Sequence, residues 1–531
     1  MISHSEMNRL ALSRRHLLKG FGATAVSLFG LTLSAPVLAD PVFADYPFQL
    51  GVASGEAVPD GFVIWTRLAP DPLAYGHGMP AAAVEVQWEV ASDGAMRDIV
   101  QSGTAMAHPE LGHSVHAEIA GLQPGRPYWY RFIAGRERSM HGRAVTTPAL
   151  GAPVRQVRFG IAGCQNYEQG YYTAHRFLAE EQPDFVFCYG DYIYEGRGRR
   201  IWNSAEGPFE NPRQHAGDEI YSLTDYRRRY AQYKMDADLQ AAHAAAPWFV
   251  TWDDHEIDNN WVDDIDQDGT APGIFRLRQQ AAMQAYYENM PLRASSLPTG
   301  PRMQLYRQAR YGDLLDLNLL DTRQYRSDQP CGDRWGPDCT EIALREAEVL
   351  GQQQSDWLER NLRDSGATWQ VIAQQVMMMD LDRQPGEGSI VNPDSWGGYR
   401  APRQRLLEAL DRHASNPIVL TGDEHQNYAG ELHIDGQDPG PEPLAAEFVT
   451  TSITSNGDGE VARADTTAIA AENPQLKWHN AQRGFVLCDV TPERWLTDYR
   501  VVDKVTTRGG TMSTAARMVV EPGSSRLQRD A

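Results

Sequence analysis

Asp184-Phe185-Val186-Phe187-Cys188-Tyr189 runs directly into Gly190-Asp191-Tyr192-Ile193-Tyr194-Glu195. The first half is a short, continuous apolar run opened by an acidic residue and closed by glycine. That pattern reads as a strand buried on both faces, the kind found inside a largely parallel sheet. The second half sets carboxylates and phenols immediately after the strand. Ligands bind at the carboxyl edge of an α/β sheet, so this stretch predicts both the fold class and the place of the chemistry.

The same arrangement recurs along the chain. Val157-Arg158-Phe159-Gly160-Ile161-Ala162 ends in Gly163-Cys164-Gln165-Asn166-Tyr167, and Trp248-Phe249-Val250-Thr251-Trp252 ends in Asp253-Asp254-His255-Glu256, with Asn259-Asn260 just after. Pro417-Ile418-Val419-Leu420 ends in Thr421-Gly422-Asp423-Glu424-His425. Further strands are expected at 314–320, 369–373, 448–453 and 484–490. Helical stripes fall between them at Ala174, Phe177 and Leu178, at Leu350, Trp357, Leu358 and Leu362, and at Leu406, Leu407 and Leu410. Alternating strands and helices predict a layered α/β architecture. Residues 196–245 and 381–400 carry no readable code and are read as loops that shape the pocket.

Before about residue 150 the rhythm is all-β. Phe62-Val63-Ile64-Trp65-Thr66 and Val84-Glu85-Val86-Gln87-Trp88-Glu89-Val90 have strand length and patterning. The turn Gly121-Leu122-Gln123-Pro124-Gly125 leads to Tyr128-Trp129-Tyr130, and resembles the tyrosine corner of immunoglobulin-like and fibronectin-like sandwiches. The expected plan is a β-sandwich domain over 45–150 and a catalytic domain over 151–520.

The chain has 531 residues, 42% hydrophobic and 22% charged, which excludes disordered and fibrous classes. Its 49 basic and 70 acidic residues give a net charge of −21. That balance argues against a stable nucleic-acid complex and suits a protein that holds multivalent cations. Ser13-Arg14-Arg15-His16-Leu17-Leu18-Lys19, followed by an apolar run from Phe21 to Leu38, resembles a twin-arginine export signal. Val37-Leu38-Ala39 is a small-residue cleavage site that would remove residues 1–39, and Val42-Phe43-Ala44 is a second. No other stretch reaches the ~20 apolar residues needed to span a bilayer. The expectation is a periplasmic or secreted protein with no membrane span after cleavage, and with the twin-arginine translocase as its partner during export.

Five cysteines remain beyond the signal. Cys331 and Cys339 bracket a polar loop, where a local disulfide is expected in an oxidising compartment. Cys188 and Cys488 lie in strand-like runs and read as buried thiols.

An aspartate after a strand often caps the next helix, so each acidic cluster alone is ordinary. Four clusters in one topological position are not. Carboxylates, an amide and imidazoles converging there could hold two cations a few ångströms apart and clamp a phosphoryl group.

Together, Gly190-Asp191-Tyr192-Ile193-Tyr194-Glu195, Trp252-Asp253-Asp254-His255-Glu256, Leu320-Asp321-Thr322-Arg323-Gln324-Tyr325-Arg326 and Gly422-Asp423-Glu424-His425 resemble the motifs of PhoD-like alkaline phosphatases, within the calcineurin-like metallophosphoesterase superfamily. The resemblance runs from the export signal to about residue 500. It implies a layered metallophosphoesterase α/β sandwich behind an all-β N-terminal domain. It also implies that Cys164, Asp191, Tyr194 and His425 bind ferric iron, with Asp191 bridging to calcium. Asp423 and one of Asn259 and Asn260, with Asn260 preferred, would complete the calcium side. Asp254 stands where many members of the superfamily carry asparagine and is a further calcium candidate. His255 would contact phosphate or protonate the leaving oxygen.

Arg323 and Arg400 read first as ion-pair partners rather than phosphate clamps. The expected activity is an exported alkaline phosphatase and phosphodiesterase acting on organic phosphate esters, by attack of a hydroxide held between iron and calcium. The alternative is a diesterase specialised for nucleic acid or cell-envelope phosphate polymers. A non-catalytic binding protein with a decayed site is a third class, and the intact ligand set argues against it.

Overall fold

The computed structural model describes residues 37–38, 41–204, 207–337, 339–434, 442–463 and 466–530. Most of the segment read as an export signal, residues 1–36, lies outside the described residues. Val37–Leu38 forms a short strand parallel to Ala83–Val84.

The β-rich first part holds β1 (Val52–Val58), β2 (Gly61–Arg67), β3 (Ala83–Ala91), β4 (Ile99–Ala107), β5 (Ser114–Ile119), β6 (Pro127–Ala134) and β7 (Gly142–Val145). β3, β4, β6 and β7 form one sheet. The tyrosine corner is present, since the Tyr128 hydroxyl accepts the Gln123 backbone N–H at 3.0 Å.

Alternation follows, with β8 (Val157–Ala162), α1 (Thr173–Glu180), β9 (Phe185–Cys188), α2 (Leu223–Lys234), α3 (Ala237–Ala245), β10 (Pro247–Val250) and α4 (Pro272–Asn289). Next come β11 (Arg307–Tyr311), β12 (Leu315–Leu319), α5 (Gly351–Asp364), β13 (Trp369–Ala373), α6 (Arg400–His413) and β14 (Pro417–Thr421). The chain then adds β15 (Asn427–Leu432), β16 (Ala445–Val449), β17 (Leu476–Asn480), β18 (Gly484–Val490), β19 (Trp495–Val502) and β20 (Met512–Val520).

Two large mixed sheets carry the site. The first runs β20-β19-β18-β8-β9-β10-β1-β2-β5, with Gln528–Arg529 added beyond β20. Its centre, β8-β9-β10-β1, is parallel. The second runs β11-β12-β13-β14-β16-β15-β17, with β12-β13-β14-β16 parallel. The N-terminal strands β1, β2 and β5 therefore extend the first sheet and do not sit apart from it.

The sheets pack face to face. Phe159, Ile161 and Phe187 from one meet Leu317, Val371, Leu420 and Phe448 from the other in a single buried cluster. Each such side chain contributes about 1.5–3 kcal/mol on burial. Leu178, Tyr226, Leu239 and Phe275 bring α1–α4 onto the outer face of the first sheet. Leu358, Leu362, Leu406 and Leu410 bring α5 and α6 onto the second.

The sequence reading differs from the structure in two places that matter. The strand expected at 448–453 spans Ala445–Val449, because Thr450 onward turns toward the site. The region 196–245, read as loop, holds α2 and α3. Ser222 and Asp225 form a capping box at the start of α2.

Candidate metal centre

The loops after β8, β9 and β14 meet around the ring of Tyr189. A Cβ at Gly163 would lie 2.4 Å from that ring, and one at Gly422 would lie 2.0 Å from it. Glycine at both positions is what lets two strand ends close on one aromatic wedge. The Tyr189 hydroxyl donates to the Thr451 carbonyl at 2.9 Å, which ties in the segment after β16.

The backbone is held in an unusual state here. Cys164 (φ 49°), Asp191 (53°), Asn260 (51°), Asp423 (64°) and His425 (54°) all occupy the left-handed region. Residues other than glycine visit it rarely, at a cost of about 1–3 kcal/mol each, and such strain gathers at functional sites. Glu256 offsets part of that cost. Its buried carboxylate accepts the backbone N–H groups of Asp191 (3.1 Å), Tyr192 (2.6 Å) and Asp253 (3.0 Å). Arg483 donates to the His425 carbonyl and Arg229 to the Tyr194 carbonyl, fixing two further loops.

On this frame the side chains form two groups that share one carboxylate. In the first, the Cys164 thiol lies 3.4 Å and the Tyr194 hydroxyl 2.7 Å from Asp191 Oδ2. His425 Nε2 is 3.2 Å from the Tyr194 hydroxyl and 3.9 Å from Asp191 Oδ2. In the second, donor atoms of Asp191, Asp254 and His255 lie within 4.8 Å of one another. Asp254 Oδ2 also accepts the Asn260 backbone N–H at 2.8 Å. Asn259 instead turns its amide to Gln267 at 2.7 Å. Asp423 belongs to neither close group, but it lies near enough to Asp253, Asp394 and Asp254 to feel their charge.

The electrostatics are those of crowded, buried acidic groups. Burial pushes the Cys164 thiol well above its usual range, and Asp191, Asp423 and Asp253 push it further. Burial, Asp191 and Cys164 do the same to the Tyr194 phenol. Burial raises Asp423 far above the carboxylate range, and so do Asp253, Asp394 and Glu424. Asp191 is raised by burial and by Asp254, and its Oδ1 is buried without a hydrogen-bond partner. Packing this many acidic groups together is unfavourable unless protons or cations lie between them. His425 is held neutral, chiefly by burial, so its ring nitrogen keeps a lone pair for a cation. A buried thiol, phenol, carboxylate and imidazole around one point, with a second carboxylate pair beside them, fit two metal ions sharing Asp191.

His255 stands in the second group by position, but its ring has a carboxylate partner of its own. Its Nδ1 lies 2.7 Å from Glu195 Oε2, and its ring lies 4.1 Å from the Tyr194 ring. Burial works against the imidazolium, but Glu195, Asp254 and Asp191 outweigh it and hold the group well above its ordinary value.

Several contributors escaped the sequence reading. Glu195 and Glu256 stand inside the quoted motifs, yet nothing in the motifs assigns them partners. Ser455, whose Oγ lies 2.7 Å from the Tyr194 hydroxyl, follows β16 at the same carboxyl edge as the other clusters. That position was the signal for it. Arg323 is the ion-pair partner expected, fully buried between Asp253 (2.6 Å) and Asp394 (2.9 Å). Cys331 and Cys339 form the expected disulfide, and Cys188 and Cys488 are buried free thiols.

Comparison with known proteins agrees with this layout. The family model for PhoD-like phosphatases matches residues 159–499, and that for the N-terminal domain of PhoD-like phosphatases matches 34–148. Alkaline phosphatase D of Bacillus subtilis (strain 168) is 48% identical over 522 residues, covering 97% of this chain and 89% of the relative. A solved structure of PhoD superposes with a TM-score of 0.90 at 48% identity, over 92% of this chain and 93% of that one. A purple acid phosphatase from yellow lupin seeds shares the fold, with a TM-score of 0.50 at 12% identity over 90% of this chain and 75% of that one. The strand-end loops and the donor set thus lie within the matched spans, and the chain belongs to the PhoD-like phosphatase family.

Proposed function

We propose that this chain is an exported alkaline phosphatase and phosphodiesterase that cleaves organic phosphate esters at an iron–calcium centre. The observation that carries the reading is Asp191, one buried carboxylate common to two adjacent donor groups. Cys164, Asp191, Tyr194 and His425 would hold ferric iron, because thiolate and phenolate are anionic donors that favour that oxidation state. Asp191, Asp254, Asn260 and Asp423 would hold calcium, a hard cation that takes oxygen ligands. Bound together, the two ions supply Lewis-acid charge and an activated water for in-line attack at phosphorus.

The chain's own residues do the rest. Glu195 holds Nδ1 of His255, leaving Nε2 as the nitrogen that gives its proton to the leaving oxygen. Glu256 keeps the Asp191 loop in its strained conformation. Tyr194, fixed by Ser455, keeps its phenol on Asp191. Residues 1–39 serve as the twin-arginine signal, 45–150 as the β-rich N-terminal domain and 151–520 as the catalytic domain. No helix among the described residues is long and apolar enough to cross a membrane.

Metal analysis of the purified protein, with turnover of a chromogenic monoester and diester before and after chelation, tests the reading. Iron and calcium should co-purify, and activity should fall on calcium removal and return on its addition. Full turnover by protein stripped of both metals would overturn it.

A further inference from the structure

The disulfide Cys331–Cys339 closes a short loop, with Cα atoms 5.8 Å apart, and that loop touches the centre on two sides. Asp333 Oδ2 accepts from Nδ2 of Asn260 at 2.7 Å, and Asn260 in turn binds Asp254. On the other side, the Trp335 ring lies 4.8 Å from the guanidinium of Arg383. Arg383 donates to Glu424 Oε2 at 2.5 Å, and Glu424 stands between Asp423 and His425. The loop is thus pinned to the neighbours of both proposed cations.

Trp335 is 56% exposed, and every other tryptophan among the described residues is buried or half-buried. A side chain whose task was to cover Arg383 would be expected to bury its indole against it. Here one contact to a fixed, largely buried cation holds the ring, a covalently closed loop holds the backbone, and much of the indole remains in solvent. Cation–π attraction gives the ring a preferred orientation before any ligand arrives. A rigid, exposed aromatic tied through Arg383 and Glu424 to the residues of a polar site offers apolar contact at low entropic cost.

We propose that Trp335 is a stacking platform for the planar aromatic part of a phosphate ester, a nucleobase or a simple arene. It would thereby set a preference for aromatic over aliphatic esters. This rests on the phosphoester-hydrolase reading above and adds the substrate class. Stacking of one base on an aromatic side chain corresponds to about tenfold in affinity.

The test compares wild type, Trp335→Ala and Trp335→Phe on a nucleoside 5′-monophosphate, an aryl phosphate and glycerol phosphate. Adenosine, which has no phosphate, serves as inhibitor. Trp335→Ala should raise KM about tenfold for the aromatic esters, leave glycerol phosphate unchanged and abolish adenosine inhibition. Trp335→Phe should restore most of the loss. A rise confined to the nucleotide identifies a nucleobase site, and a rise on both aromatic esters identifies a general arene site. Equal losses on all three esters, or no loss on any, would overturn the platform. If wild type hydrolyses none of them, the hydrolase reading fails separately. Calorimetric titration of adenosine into wild type and Trp335→Ala then decides the platform alone, which is refuted by equal binding or by none.

Discussion

Glu195 Oε2 lies 2.7 Å from His255 Nδ1, one residue along the chain from Tyr194, whose phenol touches Asp191. One short segment would therefore serve both the proposed cations and the proposed proton donor. The contact fixes the ring orientation of His255, and the negative charge of Glu195 favours its protonated form.

The two effects separate on substitution. Glu195→Ala removes orientation and charge together and should lower kcat about 100-fold, the usual scale for a lost general acid. Glu195→Gln retains an acceptor for Nδ1–H and should lose less. Loss of the negative charge lowers the pKa of His255, so in both variants the alkaline limb of the kcat profile should move to lower pH. An unchanged pH profile in both variants would refute this role.

Gly422 supports the centre by the absence of a side chain. Its missing Cβ would sit 2.0 Å from Tyr189, whose hydroxyl is tied to Thr451. Gly422→Ala must displace the ring or the Asp423–His425 loop, at a cost of about 1–3 kcal/mol. Thermal denaturation should show the loss, and metal content should fall with it. Tyr189→Phe, which keeps the wedge and drops one hydrogen bond, should cost less.

Much of the active region was legible because burial and chemistry leave different marks at a strand end. Phe185–Cys188 is apolar throughout and Asp191–Glu195 is not, and the boundary between them locates the carboxyl edge. The left-handed backbone at Cys164 and Asp423 leaves no such mark, because the tertiary frame imposes it. α2 was hidden for another reason. Its inward stripe is Tyr226, Tyr230 and Tyr233, set among three arginines and a lysine, so its apolar stripe is weak. The pairing of β1 with β10 joins residues about two hundred positions apart, and no local pattern encodes it.

Lys234, at the end of α2, gives a prediction independent of metals. Its side chain is buried, and Nζ has no hydrogen-bond partner. It lies 4.3 Å from the Trp65 ring centroid and 5.1 Å from that of Tyr192. Burial, reinforced by Arg67, lowers its pKa to about 7. The folded state therefore binds this proton less tightly than the unfolded chain. The resulting destabilisation is full below about pH 7 and fades as pH rises toward the unfolded value of about 10.5. Lys234→Met should raise Tm more at pH 6 than at pH 9.5. An equal change at both pH values would place the effect in packing rather than in charge.

Tyr194 and Cys164 together decide what the first cation is. A phenolate or thiolate on ferric iron should absorb visible light, whereas calcium or zinc in the same place would not. Purified protein should be coloured, and a reductant strong enough to form ferrous iron should bleach it. Tyr194→Phe keeps the ring against His255 and removes only the hydroxyl that touches Asp191, His425 and Ser455, so the band should shift or weaken while the fold survives. Ser455→Ala leaves the phenol in place but removes its 2.7 Å partner, and should move the band less. Loss of such a supporting contact typically costs about 10–100-fold in metal affinity, so iron content should fall in Ser455→Ala too. Cys164→Ser exchanges an anionic sulfur donor for a weakly acidic hydroxyl and should lose most of its iron. A colourless, iron-free protein with full activity would remove iron from the assignment, yet leave the two donor groups that meet at Asp191 able to hold another pair of cations.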